Sequence, residues 1–197
     1  MWMPARTLEP EILDVETPPQ EQLDLCYDYL KWVNRWLGGT RATLSAFRSF
    51  SRSWKPGERI RVLDVAAGAA DVTVALRRWA ARNGYDLRVT ALDLDPGALD
   101  FARRSAGEEI EYLCANVLRM PCRDGAFDYV HCSLFFHHLK DEQIVDVLRA
   151  FDRVARRGIV VNDLIRRWRA WFWIKVMTLT ANPITKIDGP LSVKKSL

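Results

Sequence analysis

The chain is expected to fold as an α/β protein, an open sheet with helices on both faces, on three observations. First, Ile60-Arg61-Val62-Leu63-Asp64-Val65 is a short apolar run rich in β-branched residues. It passes through Ala66-Ala67-Gly68-Ala69-Ala70 into Val72, Ala75, Leu76 and Trp79 at helical spacing. That change of period reads as strand, small-residue turn, helix. Second, the pattern repeats: residues 87–92 form an apolar run ending at Asp93, and Asp95-Pro96 has the form of an N-cap and first helical position. Third, strand-like runs at 110–114, 127–133 and 158–162, with a helical stripe of Ile144, Val147, Leu148 and Phe151 before the last, continue the alternation. Strands alternating with helices indicate βαβ units and a parallel sheet, and ligands bind outside the carboxyl ends of such strands.

Four segments follow from composition and periodicity. Residues 1–19 hold Pro4, Pro10, Pro18 and Pro19 among scattered acids and are expected to form a mobile or extended arm, with Thr17-Pro18-Pro19 opening a helix. Residues 20–55 are expected to form a helical cap. Leu23, Tyr27, Leu30, Asn34 and Leu37 share one stripe, Gly38-Gly39 interrupts it, and Leu44, Phe47 and Phe50 mark a second helix. Two placements are open for this cap, over a substrate pocket or over a sheet edge, and Asn34 and Trp36 are the residues singled out. Residues 56–164 are the core. Residues 165–197 are a basic, aromatic segment: Trp168, Trp171 and Trp173 lie among Arg166, Arg167, Arg169 and Lys175. A helix closing a substrate pocket, an interfacial helix on an anionic membrane and a nucleic-acid patch are the competing readings. The last is set aside because the tryptophans are clustered rather than interleaved as stacking platforms. Residues 187–193 read as a connector.

The bulk properties exclude several classes. A length of 197 residues suits one domain, and 49% hydrophobic residues supply a core. No run of apolar residues reaches the length of a membrane span, and the N-terminus lacks the apolar stretch of a signal peptide. Cys26, Cys114, Cys122 and Cys132 form no CxxC pair, so they read as reduced thiols in a cytoplasm. A zinc site from Cys122, Cys132, His131 and His137 is set aside, and no metal is expected. The net charge of +4 is uneven: residues 156–197 hold nine Lys/Arg against Asp163 and Asp188.

Asp64 with Gly68, the acidic end of the second strand at Asp93, Phe127-Asp128, and His137-His138-Leu139 before an acidic helix start together resemble the class I S-adenosylmethionine-dependent methyltransferases. The resemblance implies a Rossmann-like sheet and S-adenosylmethionine as cofactor, held by Asp64, Ala66, Gly68, Asp71, Asp93, Leu94, Asn116, Val117 and Ser133. Of the glycines usual in the family's first motif only Gly68 remains. Ala66 is expected at negative φ, whereas Ala70 costs roughly 1 kcal/mol or more if the turn needs positive φ there. Asn116 stands where an acidic residue usually accepts from the adenine amino group, and Val117 would touch the adenine face. His137, with His138 second, is the candidate base. Phe135, Phe136, Trp36 and the Trp-rich segment imply an apolar pocket.

The helical lead-in and the His-His-Leu loop are similar to ubiquinone/menaquinone-type and natural-product methyltransferases. They point to methylation of an O or C nucleophile on a hydrophobic small molecule: a quinone, phenol, polyketide or lipid-like acceptor. The family's sheet ends in an antiparallel hairpin, for which no candidate strands are found. A catalytically degenerate methyltransferase-like binding or scaffold protein is the rival reading. A NAD-type oxidoreductase is disfavoured because no G-x-G-x-x-G is present.

Overall fold

The computed structural model describes residues 5–16, 18–107 and 109–196; the expectations at Pro4, Thr17 and Leu197 lie outside them. Strands β1 (Arg59–Val65), β2 (Asp86–Asp93), β3 (Glu111–Cys114), β4 (Phe127–Ser133) and β5 (Ala155–Asn162) lie in the order β3-β2-β1-β4-β5, every pairing parallel. The chain therefore steps outward from β1 to β3 and returns on the other side at β4. The crevice between the carboxyl ends of β1 and β4 is a topological switch point, where open α/β sheets take ligands.

Among the described residues, eight α-helices accompany the sheet: α1 (Ile12–Val15), α2 (Gln20–Trp36), α3 (Gly39–Phe50), α4 (Asp71–Arg82), α5 (Pro96–Ala106), α6 (Asp141–Val154), α7 (Trp168–Met177) and α8 (Pro183–Lys195). The period-2 alternation of β1 feeds two cores. Ile60 and Val62 pack with Phe47 of α3 and with Leu76 and Ala80 of α4. Leu63 and Val65 point the other way, to Val147, Phe151 and Val154 of α6. Helices thus cover both faces, as the sequence indicates. At the amino end of the sheet Asp128 is buried; it accepts from the Arg61 backbone N–H at 2.9 Å and pairs with Arg156 at 3.0 Å.

Two segments differ from expectation. Residues 5–16 are not free: Asp188 accepts from the N–H groups of Ile12 (2.9 Å) and Leu13 (3.3 Å), and Arg6 donates to the carbonyls of Leu139 and Lys195. Prolines and acids leave such a segment without a helix of useful length, yet its unpaired N–H groups find a carboxylate on another element. Residues 187–193 are not a connector but the body of α8. Asn182 caps that helix by accepting from the Thr185 N–H at 2.9 Å, and Pro183 occupies its first turn. Pro190 sits inside it, against local propensity. The buried Val193, Lys195 and Asp188 hold the helix by tertiary contacts that no local pattern announces.

The turn after β1 is left-handed at three places: Ala66 (φ 53°), Gly68 (φ 50°) and Ala70 (φ 54°). Ala70 matches the expected strain, whereas Ala66, expected at negative φ, does not. An L-residue in this region costs roughly 1–2 kcal/mol, and glycine returns roughly 0.5–1 kcal/mol of that as extra freedom in the unfolded chain. The double variant Ala66→Gly/Ala70→Gly is therefore expected to unfold about 2–6 °C higher. Scanning calorimetry showing an unchanged or lower Tm would contradict the strain.

Candidate active site

Asp64 is the one carboxylate inside β1, and its side chain turns toward α3 and α4. His131 stands opposite it on β4, in register. His131 Nδ1 lies 2.6 Å from Asp64 Oδ1, and its Nε2 lies 2.9 Å from Thr43 Oγ1 of α3. A carboxylate only accepts, so Nδ1 donates to Asp64, and the Thr43 hydroxyl is the hydrogen-bond partner of Nε2. Thr73 of α4 donates to the other Asp64 oxygen. Asp64, His131, Thr43 and Thr73 are all buried, and each is satisfied by the others.

Asp93 closes the next strand. It accepts from the Gly68 N–H (2.8 Å) and the Asp95 N–H (3.0 Å), which fixes the turn against the end of β2. Burial pushes the Asp93 carboxyl above its usual range. Asp71, at the first position of α4, is likewise raised by burial. A Cβ built on Gly68 would meet nothing within 4 Å, so the turn opens onto free space. Helix α2 lies across this region and is tied down at two points. Asn34 Nδ2 donates to both Asp71 oxygens at 3.2–3.3 Å, and Tyr27 Oη donates to Asp95 at 3.0 Å. Helix α2 thus lies over the crevice, while α3 packs against the sheet through Phe47.

The loop after β4 starts at Leu134, another left-handed residue (φ 53°), and carries both histidines. His137 is buried. Its Nδ1 lies 2.7 Å from Asp163, whose other oxygen accepts from the His137 backbone N–H at 3.2 Å. Asp163 is pushed up by burial, but its bonds to His137 and the Leu164 N–H outweigh this and hold it below the usual range. Nε2 of His137 is 3.8 Å from Glu11 of the N-terminal strap. His138 Nδ1 lies 2.9 Å from Asp14. Glu11, His137 and His138 bring ligand atoms within 4.8 Å of one another. The buried Lys195 ammonium stands beside them, 3.3 Å from Glu11 and 2.8 Å from Asp14, and already supplies a cation there. Among the described residues, Cys122, Cys132, His131 and His137 do not gather into a metal cluster.

These elements enclose a cavity of about 320 Å³. One end is lined by Asp64, Gly68, Asp71, Asp93 and Asp95. The other is largely apolar, with Tyr29, Leu30 and Val33 of α2, Leu164, Ile174 of α7 and Ile184 of α8. Of the residues singled out from sequence, Asp64, Ala66, Gly68, Asp71, Asp93, Ser133, His137 and Asn34 line it. Leu94 does not; it is 65% exposed. Nor do Asn116 and Val117: Asn116 Oδ1 is spent on the Leu118 N–H at 2.8 Å, capping the turn at Val117–Arg119. Val117 packs on the α6 side of the sheet. Phe136 is core, packed with Phe151, Phe135 lies beside it, and Trp36 is 65% exposed, so of the expected apolar lining only the Trp-rich segment contributes, through Ile174 of α7, and α2 and α8 supply the rest. Glu11 and Asp163 were not signalled as site residues, and Tyr27 only as part of a helical stripe: Glu11 and Tyr27 reach the cavity from elements distant in sequence, and Asp163 stands behind His137. An aspartate directly after a strand, as Asp163 follows β5, was the available clue.

Residues 62–158 match the family described as "Methyltransferase domain". That stretch is a methyltransferase domain. It shows 34% identity over 84 residues to a demethylmenaquinone methyltransferase of Deinococcus radiodurans, covering 41% of this chain and 33% of that protein. The Bacillus cereus enzyme of the same name shares 30% over 108 residues, 53% of this chain and 43% of that one. The matched part is thus less than half the length of these relatives. The plantazolicin methyltransferase BpumL, solved with S-adenosylhomocysteine, superposes with a TM-score of 0.64 at 14% identity over 90% of this chain and 69% of its own. The PH0226 protein of Pyrococcus horikoshii superposes at 0.60 with 15% identity over 74% of this chain and 62% of that one. At such identities these structures establish the fold: the class I α/β sheet with helices on both faces.

Thr43→Val removes the hydroxyl that satisfies His131 Nε2 without changing the size of the side chain. An unsatisfied buried group costs about 1–3 kcal/mol, so the denaturant midpoint is expected to fall with the slope unchanged. An unshifted midpoint would show that the Asp64–His131 chain does not depend on α3.

Proposed function

We propose that this chain is an S-adenosylmethionine-dependent methyltransferase acting on an O or C nucleophile of a hydrophobic small molecule. The observation that carries the reading is a cavity that brings Asp64, Asp71 and Asp93 at the switch point together with apolar side chains of α2, α7 and α8, with His137 on its wall. S-adenosylmethionine bears a sulfonium, an ammonium and ribose hydroxyls. The donor set fits it: Asp93 keeps lone pairs beyond its two backbone donors, Asp64 and Asp71 add negative charge, and Gly68 leaves room for close approach. When bound, the cofactor supplies an electrophilic methyl group. The chain's task is then to orient an acceptor, exclude water and take up a proton.

His137 suits the last role. Asp163 holds its Nδ1–H, so Nε2 is the nitrogen left to accept the acceptor's proton. The acceptor's ring or chain lies against Leu30, Val33 and Ile174, and Tyr29 Oη, buried with no hydrogen-bond partner, is placed to meet an oxygen on it. The quinone substrates named for the sequence relatives have this character: apolar bodies with oxygen substituents. The same reading puts the protein in the cytoplasm with peripheral membrane contact; no described helix is long and apolar enough to cross a membrane. The left-handed alanines favour one second reading, a methyltransferase-like binding protein without turnover.

Calorimetry with S-adenosylhomocysteine separates binding from its absence. Asp93→Ala is expected to weaken it about 10- to 100-fold, the loss of one or two charge-assisted hydrogen bonds. Affinity for the cationic cofactor S-adenosylmethionine should fall on acidification through the raised pKa values of Asp71 and Asp93, hence at a higher pH than for ordinary carboxylates. A folded chain that binds neither compound ends the enzyme reading. In single-turnover methyl transfer to a naphthol or hydroxyquinone, His137→Ala is expected to lose about 100-fold or more. Asp163→Asn should shift the pH profile of the rate, a change that loss of packing alone would not produce. Normal binding of S-adenosylhomocysteine with no turnover on any phenol, enol or quinol would favour the binding-protein reading.

A further inference from the structure

Apart from Arg169 and Lys175, helix α7 consists of apolar residues. Its inner face carries Ile174, which packs with Val33 of α2 and Val193 of α8 and lines the cavity. Its outer face presents Phe172 (46% exposed), Trp173 (58%) and Val176 (39%), and the turn beyond adds Leu179 (64%). Phe172 and Trp173 meet edge-on at 5.7 Å, which makes one aromatic knob rather than two scattered side chains. A helix this rich in apolar residues is normally covered over most of its surface. This one is covered on one side only, with Phe172, Trp173 and Val176 left open. Cations frame the exposed side: Arg167, Arg169, Lys175 and Lys186 are exposed, and residues 164–187 contain no acidic residue.

We infer that the outer face of α7 docks on an anionic lipid bilayer, setting Phe172, Trp173, Val176 and Leu179 among the acyl chains and the flanking cations among the headgroups. The charge pattern selects this occupant. Tryptophan rings and apolar side chains framed by Lys and Arg are the composition of interfacial segments, and cations near an anionic surface add attraction that neutral lipid does not provide. A second copy of the chain fits poorly, because a two-fold contact on this face would set the cations of one copy against those of the other. The geometry also gives the docking a purpose, which rests on the reading of the cavity as a site for a hydrophobic acceptor. Ile174 and Thr178 of the same segment line that cavity, so one helix separates it from the bilayer surface and an acceptor dissolved in lipid has a short path to it.

The test is sedimentation of the full chain with phosphatidylcholine vesicles and with vesicles containing 30% phosphatidylserine, at low and high salt. Binding is expected to the anionic vesicles and to weaken at high salt. Phe172→Ser/Trp173→Ser should lower the partition coefficient about tenfold or more on both kinds of vesicle. Arg167→Ala/Arg169→Ala should lower it only on the anionic ones, by about fivefold for each charge removed. S-adenosylhomocysteine binding, measured on every variant, confirms that the chain is folded. Vesicle binding unaffected by either pair of substitutions overturns the inference. So does a folded chain that ignores vesicles, including one that the aromatic substitutions convert from dimer to monomer in the ultracentrifuge, which would make this face a contact between copies. A chain that binds vesicles but not the cofactor product retires the methyltransferase reading and leaves the docking face standing.

Discussion

The carboxylate of Asp64 is buried at the centre of the sheet, and the arrangement of the site follows from the need to satisfy it. A buried, unpaired carboxylate is too costly to persist. Here it is met from three directions: His131 across the strand pair, Thr73 from the helix that follows, and Thr43, through His131, from the helix that precedes. One charge thereby fixes β4, α4 and α3 relative to β1 just below the turn that opens the cavity. Moving any of the three would leave a polar group unpaired in the low-dielectric interior, where that is most expensive.

Above this buried chain the site is held by contacts of a looser kind. Asn34 and Tyr27 reach down from α2 to carboxylates at partly exposed positions, and each bond is 3.0 Å or longer. The same helix is also tied by the Asp24–Arg104 ion pair and by Cys26 against Asn182 and Thr185, and it packs into two apolar clusters through Leu23 with Tyr27 and through Val33. The strap at 5–16 and the end of α8 close the opposite side through charged groups, which salt and water weaken more readily than packing.

Much of the fold was legible because periodicity and strand chemistry are local properties. The strand ending in Asp64-Val65, the small-residue turn and the acidic end of β2 could be read in order, and the cap was legible down to Asn34. Asn116 shows what resemblance alone does not convey: its side-chain oxygen has a local use two residues away, at the Leu118 N–H. Phe135 and Phe136 show another failure. Their apolar character was evident, but which side of a 3₁₀ turn would face the core was not. The strap and α8 were missed for a common reason: Pro10, Gly189 and Pro190 argue against structure locally, and what overrides them is a set of contacts between the strap and α8.

Those contacts have a kinetic meaning. Lys195 Nζ meets Asp14 across 181 positions, and Arg6 meets the Lys195 carbonyl across 189. Loop closure over such a span comes late, after the local βα units have formed. During synthesis the strap is made first but has nothing to hold until α8 emerges. The cavity wall formed by Glu11 and Leu13 is therefore completed only once α8 is in place.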